Sequence, residues 1–173
     1  MKFLSKKLWL CIVVMLLFEL SGCKRMVQSP SLKVFTNYIA KGYVEISSRD
    51  GVSKYSFLEK RINGRVEAEF VKGTRKIRLT KEDGNVLMDG KNIKSIAQDI
   101  FLDYYIDKLI NAEKYSIVAQ QNQTIVTLEL KGDIRYLHFY FANGELKKIG
   151  VIYQDKRFMK TIYLTEYKKY RKG

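Results

Sequence analysis

The chain has 173 residues, 46% of them hydrophobic and 29% charged, a length at which one domain with a core of its own is expected. Both of its Cys, Cys11 and Cys23, lie near the start, so the body of the chain has no internal disulfide and must be held by its core. Lys and Arg number 32 against 18 Asp and Glu. The resulting net charge of +14 ordinarily indicates nucleic acid or an anionic membrane as a partner.

The first 22 residues predict a targeting segment. Three lysines in the first seven residues precede an apolar run from Leu8 to Phe18, which is short for a membrane span of about 20 residues. A basic head, an apolar middle and a small-residue end are typical of an export signal. An uncleaved signal anchor or an ordinary signal peptide is the alternative to a lipoprotein signal.

The run ends in LSGC, Leu20 to Cys23, which resembles the lipobox of bacterial lipoproteins. The resemblance implies that residues 1–22 are removed and that Cys23 is lipidated and becomes the first residue of the mature chain. Lys24 follows in place of the Asp that favours retention in the inner membrane. The resemblance therefore implies an anchor in the outer membrane, facing the periplasm.

Export changes the interpretation of the charge. Removing residues 1–22 leaves 173 − 22 = 151 residues, and the loss of three Lys and Glu19 lowers the net charge from +14 to +14 − 2 = +12. An exported chain meets little nucleic acid, so a phosphate-bearing lipid surface becomes the expected counter-charge. A lysine-rich surface that only keeps the domain soluble is the alternative.

The mature chain begins with a polar segment, 23–40, that carries the lipidated Cys and contains the only Pro, Pro30; we interpret it as a tether. Hydrophobic residues then alternate with period two in five segments separated by turns with Asp-Gly, Asn-Gly or Lys-Gly pairs, which predicts five hairpin-linked antiparallel strands. The segments are GYVEISS, KYSFLEKR, RVEAEF, KIRLTK and NVLM.

One helix is predicted at about 95–111, where apolar residues recur every three or four positions and Ser95 could cap the first turn. Asp99, Asp103 and Asp107 follow one another at four-residue spacing, and we expect them to lie on the solvated side of this helix.

Five more strands follow the helix, in YSIVAQ, TIVTLELK, RYLHFYFA, ELKKIGVIYQ and RFMKTIYLTEY, and a basic tail closes the chain at 169–173. The predicted fold is mainly β (α+β): a single curled antiparallel sheet or half-barrel of about ten strands at 41–168, with a central lid helix.

This layout resembles the lipoprotein-localisation carriers and receptors of the LolA/LolB superfamily, and in particular the LolB type of outer-membrane receptor. The match is best in FVKGTRKIRLTKEDGNVLMDGK, Phe70 to Lys91, and extends through GYVEISSRDGVSKYSFLEKR and NGELKKIGVIYQ. The resemblance implies an open half-barrel whose apolar inner face, covered by helices, holds the acyl chains of client lipoproteins. It also implies acylated clients and a periplasmic carrier as partners.

Two features depart from that family. Its receptors carry Trp in the strands, whereas the chain after residue 22 has none. They also present an apolar residue, usually Leu, on a loop that inserts into the membrane; here the loop reads Val71-Lys72-Gly73, which leaves Val71 as the apolar candidate beside Lys72.

A lipid cavity also follows from the residues themselves, because a curled sheet with one helix leaves an apolar hollow, and burying an acyl chain there contributes about 0.8 kcal/mol per methylene. Such alternating residues are also what an ordinary core requires. The candidate lining residues are Tyr55, Phe57, Val66, Ala68, Phe70, Ile77, Leu79, Val126, Leu128 and Leu130 on strands, with Ile96, Ile100 and Tyr104 on the lid.

Catalysis has little support in the sequence. His138 is the only His and sits between aromatic residues on a strand, where a packed side chain is more common than a general base. Asp83 and Asp89 lack the ligand spacing of a calcium loop, and no His/Cys cluster offers metal ligands. We therefore expect a protein that is not an enzyme and uses no cofactor or metal. We also expect it to be a monomer. The alternative to lipid handling is a structural or assembly lipoprotein of an envelope or secretion complex.

Overall fold

The strands in the described part of the chain lie side by side in one antiparallel sheet. The computed structural model describes residues 31–93, 97–155 and 157–171, and within these ranges it contains an 11-stranded sheet and a single short α-helix. The strands are β1 Tyr38–Ser48, β2 Gly51–Ile62, β3 Arg65–Lys72, β4 Arg75–Glu82, β5 Asn85–Met88, β6 Lys91–Asn92, β7 Ser116–Gln120, β8 Gln123–Glu129, β9 Ile134–Ala142, β10 Glu145–Tyr153 and β11 Met159–Lys169. Between β6 and β7 lie a 3-10 turn, Gln98–Ile100, and the helix α1, Leu102–Ile110.

The strand order across the sheet is β6-β5-β4-β3-β2-β1-β11-β10-β9-β8-β7. Each half is a meander of neighbouring hairpins, and the two halves are joined where β1 pairs with β11. The sheet is curled and not closed, because β6 and β7 form its two edges.

The predicted fold class is confirmed, and all ten predicted strands form. Asn63, Asp83 and Asp89 adopt positive φ angles of 50°, 49° and 49° at the turns where the sequence predicted them. The eleventh strand, β6, has two residues, which is too short to show a period in the sequence.

The folded part begins inside the segment predicted as a tether. β1 starts at Tyr38, and the backbone N–H of Phe35 donates to the hydroxyl of Tyr167 at 3.0 Å. The N–H of Lys33 donates to the carbonyl of Gly144 at 2.8 Å. Residues from Leu32 onward therefore pack against the sheet, while Cys23 and the targeting segment lie outside the described residues.

One face of the sheet carries the core, and we call it the inner face because α1 packs against it. Period-two alternation places most apolar side chains of the long strands on this face, whereas the other face carries mainly charged, polar and aromatic residues. Its buried hydrophobic residues are Tyr38, Ala40, Val44, Phe57, Val66, Ala68, Phe70, Leu79, Val86, Val126, Leu128, Leu137, Phe139, Phe141, Leu146, Ile149, Val151, Ile162 and Leu164.

The junction of the two halves depends on one glycine. The pairing of β1 with β11 shifts register between Lys41 and Gly42. A Cβ atom added to Gly42 would lie 1.8 Å from the carbonyl oxygen of Tyr163, which no side chain can tolerate without moving β11. Glycine is therefore required here for the close approach of two backbones.

We predict that Gly42→Ala destabilises the fold by about 3 kcal/mol or more, because the clash is with backbone and not with a movable side chain. Gly150→Ala is the matched control, since its Cβ would meet the nearest atoms at 3.7 Å, an ordinary contact distance. Urea denaturation of both variants measures the difference. Equal stability of the two variants would contradict the role given to Gly42.

Candidate functional site

The helix that was predicted as a lid does lie on the inner face, but it is shorter than the predicted 95–111. α1 begins at Leu102, and the chain before it forms only the 3-10 turn. The helix buries Leu102, Tyr105 and Ile106, and Phe101 just before it is 0% exposed. Of the predicted lid residues, Ile100 and Tyr104 are half-buried at the margin, and Ile96 lies outside the described residues.

The start of α1 is held by a carboxylate from the middle of the sheet. Glu59 on β2 is 0% exposed and accepts hydrogen bonds from the backbone N–H groups of Leu102 at 2.8 Å and Asp103 at 2.9 Å. The hydroxyl of Tyr38 donates to the same carboxylate at 2.6 Å. Phe101, at the N-cap position, supplies no side-chain cap, so Glu59 takes the place of the usual local N-cap residue.

Burial has the largest effect on the pKa of the Glu59 carboxylate. Loss of water raises the pKa of Glu59 to about 7, although the hydrogen bonds from Tyr38 and from the helix N–H groups act in the opposite direction. The nearby charge of Asp103 adds to the rise in pKa. The group therefore changes protonation near neutral pH instead of near its ordinary value of 4.5.

The three aspartates expected on a solvated helix face are instead paired with cations of the inner face. Lys160 lies 2.9 Å from Asp99, Lys81 lies 2.9 Å from Asp103, and Arg61 lies 2.5 Å from Asp107. The prediction of solvent exposure was wrong for Asp103 and Asp99, because the sheet supplies their partners, whereas the Asp107 side chain is 41% exposed. With Glu59, these three pairs form what we call the charged cluster.

Of the three pairs, the one between Lys160 and Asp99 has the least exposed cation. Lys160 is 7% exposed and donates to both the carboxylate and the backbone carbonyl of Asp99, each at 2.9 Å. The hydroxyl of Tyr153 donates to Asp99 at 2.8 Å. Burial alone would raise the pKa of Asp99, but the charge and hydrogen bond of Lys160 outweigh it, and the pKa lies below its ordinary value.

The sequence contains a signal for the charged cluster, but an analysis of apolar residues alone does not detect it. Glu59 and Arg61 continue the inner-face alternation of Tyr55 and Phe57, and Lys160 sits two residues before the buried Ile162. A charged residue at an inward position of a strand needs a buried partner. Such interruptions of the alternation mark the site in the sequence.

Most candidate lipid-lining residues fall in the packed core. Tyr55 and Leu130 are half-buried, while Ile77 is 46% exposed on β4. The remaining strand candidates are buried together with the helix: Phe57, Val66, Ala68, Phe70, Leu79, Val126 and Leu128.

Open space lies at the margins of the helix. A groove of about 530 Å³ runs between α1 and β8, and three of the candidate residues line it: Tyr104, Leu128 and Leu130. Its polar lining includes Lys81, Asp107, Lys108 and Lys114. A second, more apolar groove of about 410 Å³ is lined by Ile46, Tyr153 and Phe158, beside Lys160.

The candidate membrane-insertion loop is part of a hairpin. Val71 and Lys72 are the last residues of β3 and pair with Lys76 and Arg75, and Val71 is half-buried. The turn itself consists of Gly73 and Thr74, which present no large apolar side chain. Any insertion into a membrane here would depend on Val71 alone.

Other chemistry is sparse in the described part of the chain. His138 faces Thr127 across the β8–β9 ladder, with Nδ1 2.9 Å from the hydroxyl, and burial lowers its pKa. No group of three or more His, Cys, Asp or Glu side chains is placed to bind a metal among these residues. None of their helices combines the length and hydropathy that a membrane span requires.

No family model matches the sequence, and no curated protein is similar to it. Among solved structures, the chain is similar to MucB in the MucA/MucB complex of Pseudomonas aeruginosa, with 10% identity, a TM-score of 0.45 and coverage of 77% of this chain and 52% of that one. A second MucB structure shows 12% identity, a TM-score of 0.45 and coverage of 79% and 55%. The chain thus spans about half the length of the MucB structures that it matches.

A third similar structure is a proposed outer membrane lipoprotein-sorting protein domain from Vibrio parahaemolyticus, with 8% identity, a TM-score of 0.31 and coverage of 76% of this chain and 84% of that one. All three TM-scores are below 0.5, so these likenesses carry no argument about function. The assignment to the LolB type stays a prediction.

We predict that the stability of the protein falls as pH rises from about 5 to about 8, by up to about 3 kcal/mol from Glu59 alone. The folded state holds the Glu59 proton up to a pKa of about 7, whereas the unfolded chain releases it near 4.5, so the stabilisation is complete below 4.5 and lost as pH passes 7. Urea denaturation at several pH values measures this slope.

The variant Glu59→Gln isolates the effect, because every other titrating group is common to both proteins. The variant is less stable than the wild type at pH 5, since one amide replaces an acceptor oxygen, and it lacks the fall in stability between pH 5 and 8. An identical pH profile for the two proteins would show that Glu59 does not titrate in this range.

A second prediction concerns two lysines on the same strand. Lys81→Met leaves the carboxylate of Asp103 without its cation; the Asp103 side chain is 4% exposed, so we expect a loss of about 3 kcal/mol. Lys76→Met breaks a pair with Glu69 whose side chains are 46% and 29% exposed, so solvent screens the interaction and the loss of stability is much smaller. Hydrogen exchange of the α1 amides accelerates only in the first variant. A similar effect of both substitutions would contradict the structural role of the charged cluster.

Proposed function

We propose that the protein is an outer-membrane lipoprotein, anchored through Cys23 and facing the periplasm, that binds acyl chains between α1 and the inner face and takes part in lipoprotein localisation. The observation that carries this proposal is the position of α1: one short helix covers the apolar face of an unclosed sheet, with an open groove beside it. No catalytic step is part of the proposal.

The way in which the helix is attached supports the role of a movable lid. A helix held only by apolar packing would have to separate from its neighbours without replacement contacts. Here part of the attachment is polar: Lys81 and Arg61 pair with Asp103 and Asp107 of the helix, and Glu59 accepts hydrogen bonds from its first N–H groups. Water can solvate these groups once the helix moves, and the apolar face that is uncovered would then be filled by an acyl chain, at about 0.8 kcal/mol per methylene.

The groove between α1 and β8 is the proposed access route. Leu130 and Tyr104 provide apolar surface at its wall, and Leu128 connects this wall to the buried core. The net charge of +12 that remains after removal of residues 1–22 suits contact with an acidic carrier that delivers acylated clients and with an anionic membrane that receives them.

We expect residues 24–173 to take up a fluorescent fatty acid or an acylated client peptide in a saturable manner. Leu130→Glu places a charge in the wall of the groove and should weaken binding by about tenfold or more, since a carboxylate beside an acyl chain is costly to bury. Fluorescence titration measures the binding.

Leu58→Glu is the matched control, because Leu58 is 40% exposed and belongs to the other face of β2. Its binding should equal that of the wild type. No uptake by the wild-type protein, or equal uptake by Leu130→Glu, would contradict acyl binding at this groove.

A second candidate function is that of a structural or assembly lipoprotein without lipid cargo. The filled centre of the inner face favours it, since Leu137, Phe139 and Ile149 are each 0% exposed. Native mass spectrometry separates the two: bound lipid supports the first function, whereas lipid-free protein with one stoichiometric partner in a crosslinking pull-down supports the second.

A further inference from the structure

One edge of the sheet is open along its full length. β7, Ser116–Gln120, is the last strand in the sheet order, and no strand within the described residues pairs with its outer side. All five of its residues are exposed, with Ile117 at 41% and Val118 at 51%. Tyr115, just before the strand, is 59% exposed.

The hairpin between β7 and β8 determines which backbone groups are unpaired. Its loop is Gln121-Asn122, and Gln120 pairs with Gln123 across it. Residues that flank a two-residue loop form a hydrogen-bonded pair, and such pairs alternate along an antiparallel ladder. Ser116, Val118 and Gln120 therefore direct their N–H and C=O groups to β8, whereas Ile117 and Ala119 direct theirs outward.

This edge lacks the usual protection against pairing. Exposed edges are normally blocked by charged side chains, Pro, bulges or very short strands. The opposite edge follows this rule, because β6 has two residues and one of them is Lys91. In contrast, the stretch from Tyr115 to Leu128, YSIVAQQNQTIVTL, contains no charged residue and no Pro.

We infer that β7 pairs with β7 of a second copy of this chain, so that two sheets join edge to edge about a two-fold axis at Val118. In this register, Ile117 of each copy exchanges backbone hydrogen bonds with Ala119 of the other, and the two Val118 side chains face each other. Ser116 lies opposite Gln120. The monomer expected from the sequence is then one half of an isologous dimer.

The absence of charge on this edge favours a second copy as the occupant. The chain carries 32 cations against 18 anions, so self-association through most of its surface brings like charges together. The β7 edge avoids this, since Glu113 and Lys114, the charged residues nearest to it in the sequence, both lie outside the strand. An acidic partner would gain nothing from an edge without charge.

Disulfide crosslinking of the full chain tests the pairing. Val118→Cys places two thiols on strands whose Cα atoms are about 4.5 Å apart at this non-hydrogen-bonded position, which is within disulfide range. Mild oxidation should give a dimer of twice 20.3 kDa on a non-reducing gel. The wild-type chain controls for Cys11 and Cys23, and Val52→Cys controls for exposure, since Val52 is 68% exposed on β2.

A second substitution tests the hydrogen bonds. Ala119→Pro, added to Val118→Cys, removes an outward N–H and leaves the β7–β8 ladder intact, so the dimer yield should fall by about fivefold or more. Circular dichroism melting verifies that each variant is folded.

Sedimentation of the wild-type chain in detergent provides a measurement that needs no variant at β7. Its mass should rise from monomer to dimer with concentration, and Val118→Lys should abolish the rise while Val52→Lys does not. The proposal would be overturned by a monomer at all concentrations, by equal dimerisation of Val118→Lys, or by crosslinking of the Val118→Cys variant to a different protein instead of to itself.

Discussion

The carboxylate of Glu59 determines where the only described helix begins and how it lies on the sheet. A helix of nine residues is too short to be stable alone in water, and this one has no capping side chain of its own. Glu59 supplies the acceptor for the N–H groups of Leu102 and Asp103, and it sits at a fixed position in β2. The helix is consequently stable only where the sheet places that carboxylate.

The charged cluster also determines the position of the helix along the sheet. Apolar packing between a helix and a sheet tolerates small sliding movements, whereas ion pairs at three successive positions do not. Asp99 must reach Lys160, Asp103 must reach Lys81 and Asp107 must reach Arg61. These three cations lie on three different strands. We expect these ion pairs to contribute less to stability than to the choice of one arrangement over others. The cluster therefore accounts for the single orientation of α1.

The strands and turns could be predicted from the sequence, because their signals are local. Alternation along segments such as RVEAEF and the Asn63-Gly64 and Asp83-Gly84 pairs act over a few residues. The start of the helix could not be predicted in this way, since its cap lies 43 residues earlier in the chain. The partners of the three aspartates are equally remote. Periodicity cannot tell a packed core from a hollow one, so the candidate lining residues stay a prediction.

The pairing of β1 with β11 has a consequence for how the protein folds. Every other neighbour in the sheet is also a neighbour in sequence, so the two meanders can form by local hairpin closure. The junction between them joins Tyr38 to Lys169 and closes a very long loop, which is entropically unfavourable until the whole ladder forms. During synthesis or translocation, β1 therefore remains without its second neighbour until β11 has emerged. We therefore expect the slow step in folding to be the meeting of the two half-sheets, and Gly42 lies where they meet.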